Sequence, residues 1–163
     1  MELGFIEIPE YAGYSALFIL IFLGEAGVPL LVPAELALVA AGVAAANGTA
    51  ELPVVIGLAL LADGLGAFVL YGVVRYTRDK RWRGIFGRYK EAVMKRVKLL
   101  GADSLWRIIL GRTVPYLRIP ASGAAALAGL SWRQFLGAVL VGGTAWIALF
   151  LGGAYLVTIG VLS

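Results

Sequence analysis

Hydrophobic residues fill most of this chain in long runs, and the prolines and charges that interrupt the runs divide it into elements. Residues 11–23 (YAGYSALFILIFL) are apolar but cover only 13 positions, short of the roughly 20 that a helical membrane crossing needs. They predict a tilted or interfacial helix, or one that continues into the next stretch. Residues 26–46 are long enough to cross, yet Pro29, Pro33 and Glu35 interrupt them. Proline removes a backbone donor and bends or breaks a helix, so a re-entrant helical hairpin fits better than a clean span. Asn47-Gly48-Thr49 reads as a turn. Residues 53–74 then form the best single span. Pro53 suits a first helical turn, and the run is apolar except for Asp63 near its middle.

Beyond this span the pattern changes. Trp82, Ile85, Phe86, Tyr89, Val93, Val97 and Leu100 fall at helical spacing among basic residues. That predicts an amphipathic helix over 82–100 lying on the membrane surface; the plainer alternative is a solvated loop helix. Residues 105–130 form a second broken segment, with Pro115 and Pro120 inside it. Residues 134–159 form the second good span, and Gly137, Gly142, Gly143, Gly152 and Gly153 in it permit close backbone approach. Trp132 and Trp146 read as interface anchors or as packing residues. Gly42 and Gly129 read as packing positions, and Tyr71, Tyr116 and Tyr155 as structural or interfacial rather than catalytic.

The two halves match. Pro33 to Gly42 and Pro120 to Gly129 cover equal distances through small apolar residues, and each half continues into one long span. The expected fold is all-α: two re-entrant helical hairpins plus transmembrane helices in an inverted repeat, with an amphipathic linker helix. It forms a single membrane domain over 1–163, with a first half at about 11–76, a basic linker at 77–100 and a second half at about 105–160.

Composition agrees with a membrane setting. The chain of 163 residues is 61% hydrophobic and 15% charged, where a soluble domain has about 45–50% and about 25%. Its mean hydropathy is +0.90. Ten of its 14 Lys and Arg residues lie between Arg75 and Lys98, opposed only by Asp79 and Glu91. A block this basic between spans predicts a cytoplasmic loop resting on anionic headgroups, not a nucleic-acid site. Glu2, Glu7 and Glu10 with no early Lys or Arg are the reverse of a signal-peptide start. Cysteine and histidine are both absent, which removes thiolate chemistry, the commonest general base and the commonest metal ligand. No cofactor, metal or enzymatic activity is expected; a metal held by carboxylates alone stays open.

The charges inside the apolar segments carry the candidate chemistry. The first broken segment holds Glu25 and Glu35, the second Arg112 and Arg118. Ionisable groups at membrane depth are costly and mark substrate or ion paths, and irregular backbone survives there only when buried in protein or lining a wet cavity. Glu25, Pro29, Pro33 and Glu35, followed by Gly111-Arg112-Thr113-Val114-Pro115-Tyr116-Leu117-Arg118 and Ala128-Gly129, resemble the signatures of the DedA family of membrane proteins, also called the VTT or SNARE-associated-domain family. The resemblance covers roughly residues 20–160, in a chain shorter than many members. Asp63 and the stretch from Tyr71 to Arg75 match the family in part, with Ala62 and Val74 where glycine is usual.

The resemblance implies a lipid flippase or scramblase of the plasma or inner membrane. Its substrate would be a polyprenyl phosphate of the undecaprenyl type or a phospholipid, with a link to the proton gradient. It implies functional roles for Glu25, Glu35, Arg112 and Arg118. Partners would be membrane lipids and protons, and a homo-oligomer is compatible with the sequence. Guanidinium suits phosphate because its planar fork binds two oxygens, and Pro115 breaks the helix so that arginines six positions apart can converge. Amides at broken helix ends would add donors. The alternative is that Arg112 and Arg118 only brace the hairpins by pairing with Glu25 and Glu35. Glu25 and Glu35 would carry protons if phosphate binding freed them from arginine, or stay in permanent ion pairs. Asp63 joins this network or serves local packing. A proton-coupled transporter of a small ion or solute is the competing function.

Overall fold

The computed structural model describes residues 10–76 and 105–162; the amphipathic helix expected over 82–100 lies outside the described residues. All regular structure there is helical. It comprises α1 (Glu10–Glu25), α2 (Ala34–Ala46), α3 (Leu52–Tyr76), α4 (Leu105–Thr113), α5 (Arg118–Ala128), α6 (Trp132–Ile147) and α7 (Gly153–Leu162). A π-helical turn, Ala148–Gly152, joins α6 to α7. The 25 residues of α3 and the 30 residues of Trp132–Val161 are long and apolar enough to cross a membrane. At 1.5 Å per residue they reach about 37 and about 45 Å, against about 30 Å of hydrocarbon.

Side-chain size is arranged to suit lipid. On α3 the buried face is Val55, Ala59, Ala62, Asp63, Gly66, Ala67 and Leu70, whereas Leu61, Leu65, Val69 and Val73 point outward. Small residues inside let helix backbones approach, which is how helices associate without a hydrophobic driving force. Large apolar residues outside would be a liability in water and are at home in a bilayer.

The breaks follow from local chemistry. Helix α1 stops because Gly27 takes φ 87, a left-handed value that side chains resist. The Val28 N–H then donates to Leu23 O at 3.0 Å and the Gly27 N–H to Gly24 O at 3.0 Å, the paired bonds of a Schellman stop. Pro29 follows, and Pro33 is the extended residue before α2. In the second half, Pro115-Tyr116-Leu117 turns between α4 and α5, and Pro120 sits in the first turn of α5, where a missing N–H costs little. Gly129, at φ 76, repeats the Schellman stop: Leu130 N–H donates to Ala125 O at 3.1 Å. Gly129 is thus a conformational requirement and not only a packing position. Ser131 and Gln134 form a capping box that starts α6.

Packing is crosswise. Helix α1 lies on α3 and α4 on α6; α5 reaches back onto α3, and α2 lies on the π-turn and α7. Two turns mark the ends of α3. The turn after α2 is near its start, where the Glu51 N–H donates to Tyr14 Oη at 3.0 Å. The turn after α5 is near its end, where Arg75 Nη1 donates to Leu130 O at 2.8 Å and Tyr71 Oη donates to the same oxygen. Two apolar clusters result, one around Ile21, Leu38, Ala59, Ala62 and Trp146 and one around Ala67, Tyr71, Phe135 and Val139. On α3, Asp63 falls between them.

Candidate functional site

Four chain breaks and helix positions deliver four charges to the layer between those clusters. The last residue of α1 is Glu25, the middle of α3 gives Asp63, the last turn of α4 gives Arg112 and the first residue of α5 is Arg118. Their exposures are 2, 1, 0 and 2%. Arg112 Nη2 donates to Asp63 Oδ1 at 2.9 Å and Oδ2 at 3.1 Å and lies 3.6 Å from Glu25 Oε2. Arg118 Nε is 2.9 Å from Glu25 Oε1, and Arg118 Nη2 donates to Asp63 Oδ1. Two carboxylates and two guanidiniums therefore close into a formally neutral quartet. Neutrality is what makes the burial tolerable, since an unpaired buried charge is strongly destabilising.

The surrounding backbone is cut to fit. A Cβ on Gly66 would come 2.6 Å from the Glu25 Cβ, and one on Gly142 would come 2.6 Å from the Arg112 Cβ. One on Gly143 would collide with Asp63 Oδ2. Thus α3 and α6 each present glycine where a charged residue of a neighbouring helix must enter.

Glu35 is set apart. It is half-buried in the first turn of α2 and makes no ion pair among the described residues. A carboxylate there favours the positive end of the helix dipole. The arginine–carboxylate pairing thus uses Glu25 and Asp63, where the sequence suggested Glu25 and Glu35. Asp63 is a full member of the network, not a local packing group.

Two further residues touch the quartet. Ser122 Oγ accepts from Arg112 Nη1 and donates to Arg118 O at 3.0 Å. Its signal is positional: Pro120-Ala121-Ser122 repeats Pro33-Ala34-Glu35, with a hydroxyl in place of the carboxylate. Trp146, fully buried, has its ring centroid 3.2 Å from the Arg118 guanidinium carbon. Among the described residues, Trp132, Tyr71 and Tyr116 make no hydrogen bond or ring contact with the quartet. Trp132, half exposed, stacks on Phe68, Tyr71 is the buried link to Leu130, and Tyr116 is exposed in the turn at φ 63. Gly42 packs against the π-turn at Leu151.

Comparison with known proteins finds a matching family and a relative. The model of the VTT domain matches residues 32–156, more than half of the chain. Undecaprenyl phosphate transporter A of Staphylococcus aureus (strain NCTC 8325 / PS 47) is 26% identical over 153 residues, covering 90% of this chain and 74% of that protein. No solved structure matches at the same stringency.

Proposed function

The chain belongs to the VTT-domain family of multi-pass membrane proteins of the plasma or inner membrane, and on that premise we propose that it moves a lipid phosphate across the bilayer. The substrate is a polyprenyl phosphate of the undecaprenyl type or a phospholipid, and transport is coupled to protons. The observation that carries this reading is the buried quartet. Two guanidinium forks suited to phosphate oxygens are closed by carboxylates inside a membrane chain. A likeness to a protein named as an undecaprenyl phosphate transporter supports the substrate class.

Charge balance supplies the coupling. A phosphate monoester carries about −1.5 to −2 at neutral pH, close to the charge of the two carboxylates that hold Arg112 and Arg118. Phosphate can replace Glu25 and Asp63 on the guanidiniums without leaving net charge in the interior if both carboxyls take protons. The exchange then moves up to two protons for each dianionic headgroup. Glu35 stands outside the exchange, at the start of the arm that would line the path.

The packing supports two re-entrant hairpins in an inverted repeat. In each half the first arm lies on that half's own long helix, and the second arm lies on the other half's. The turns after the two second arms sit at opposite ends of α3. An apolar groove of about 700 Å³ between α1 and α2, lined by Ala16, Leu20, Ala37, Ala40 and Ala44 among others and separate from the quartet, has a lining compatible with a hydrocarbon chain.

The test is translocation in proteoliposomes, with polyprenyl phosphate, phosphatidylethanolamine and inorganic phosphate as separate substrates, with and without a pH gradient. The expected result is gradient-stimulated movement of a lipid phosphate. Movement of inorganic phosphate alone would replace this reading with the solute transporter.

A further inference from the structure

A guanidinium group offers two different surfaces, an N–H edge and a π face, and the structure uses them for different partners. The Arg118 edge meets Glu25 through Nε and Asp63 through Nη2. Its face meets Trp146 at 3.2 Å. Among the described residues, Arg118 Nη1 and Nε are buried without a hydrogen-bond partner, Nε meeting Glu25 as an ion pair only, and so is Trp146 Nε1. Trp146 is fully buried, held by the apolar cluster of Ile21, Leu38 and Ala59, and the π-turn begins two residues further on. The indole therefore does not approach Arg118 through its own donor. It lies against the cation by its ring, a contact that strengthens when desolvated.

We infer that Trp146 is a positioning residue that holds Arg118 by its face while the N–H edge exchanges the carboxylates for an anionic headgroup. The inference rests on the lipid-phosphate reading for the identity of the ligand. Its physical basis is that the two surfaces do not compete. A third carboxylate would hold Arg118 equally well but would occupy the edge the ligand needs. An aliphatic residue would leave the edge open but give no compensation when Glu25 and Asp63 let go, and the buried cation would move toward any water. The ring stays attractive throughout the exchange. Arg112, by contrast, is steadied at its edge by Ser122 Oγ, so the two arginines are secured by different means.

The test is graded fluorination of the indole at position 146 alone, by site-specific incorporation, because fluorine drains the ring face of charge with little change of shape. Melting temperature and the KM for polyprenyl phosphate in proteoliposomes are read on the same samples. Parallel melts use an Arg118→Met background. The expected result is a stepwise rise in KM, reaching about tenfold across the series, with maximal flux changed less than KM. Melting temperature should fall stepwise with Arg118 present and stay flat with Arg118→Met. A flat KM beside a graded melting temperature would reduce Trp146 to a structural contact and overturn the positioning role. Flat series in both overturn the contact itself. If the unsubstituted protein shows no saturable response to polyprenyl phosphate, the transport reading fails. The melting series then decides by itself whether Trp146 holds Arg118.

Discussion

The buried charges converge on one atom, Asp63 Oδ1, which accepts from Arg112 Nη2 and from Arg118 Nη2. Asp63→Asn removes that charge while nearly preserving shape, and leaves the interior with an unbalanced cation. The expected cost is about 3–5 kcal/mol, read as a large fall in melting temperature in detergent. Glu35→Gln, which breaks no ion pair among the described residues, should cost about 0.3–1 kcal/mol through the helix dipole and the longer-range attraction between Glu35 and Arg118. Equal falls for the two variants would mean that Glu35 is bound into the network. Arg112→Lys keeps a charge but supplies no planar fork to span Asp63 and Ser122 together, so transport should drop at least about tenfold while the fold survives. The sequence already displays Glu25, Asp63, Arg112 and Arg118 as charges in apolar surroundings. It does not reveal that Asp63 and not Glu35 completes the set. Spacing ranks them equally, and the choice is made by tertiary packing: α2 lies on the π-turn and α7, whereas Asp63 looks into the bundle. Ser122 and Trp146 carry no charge to mark them.

At the scale of elements, the breaks were readable because proline acts locally. Pro29, Pro33, Pro115 and Pro120 place the interruptions of both segments, whereas the left-handed stops at Gly27 and Gly129 were not readable, the sequence marking Gly129 only as a packing position. The division of labour among the other glycines was not readable, since it depends on what faces each one. Two residues of α6 separate the cases. A Cβ at Gly137 meets nothing within 4 Å, whereas one at Gly142 meets the Arg112 Cβ. Gly142→Ala should therefore cost about 1–3 kcal/mol by overpacking and displace Arg112, lowering both melting temperature and flux. Gly137→Ala should be neutral or slightly stabilising, because alanine is the better helix former. Similar melting temperatures for the two variants would show that α4 is free to retreat from α6, and that the glycine does not set the position of Arg112.

For the whole molecule, the question is which faces of the bundle meet which side of the membrane. Under the positive-inside rule, the basic block from Arg75 to Lys98 predicts that the Tyr76 end of α3 faces the cytoplasm. That block is legible from charge alone; the relation between the halves is not, because sequence cannot say which turn neighbours which helix end. The structure supplies the missing geometry. The turn following α5 is held at the Tyr76 end by Arg75 Nη1 on Leu130 O, and the turn following α2 sits at the Leu52 end beside Tyr14 and Glu51. If the halves are inverted repeats, these equivalent turns must open on opposite sides. The chain has no native cysteine, so single cysteines can report this directly. Thr49→Cys should react with an impermeant maleimide added outside intact cells. Tyr76→Cys and Ser131→Cys should react only in inverted vesicles or after permeabilisation; all three native residues are exposed. Labelling of Thr49→Cys and Ser131→Cys from the same side would make the halves parallel and remove the inverted repeat. Opposite-side labelling with Tyr76→Cys outside would keep the repeat and reverse its orientation. In that case the basic block would face away from the cytoplasm, and the direction of the gradient that drives transport would have to be reversed with it.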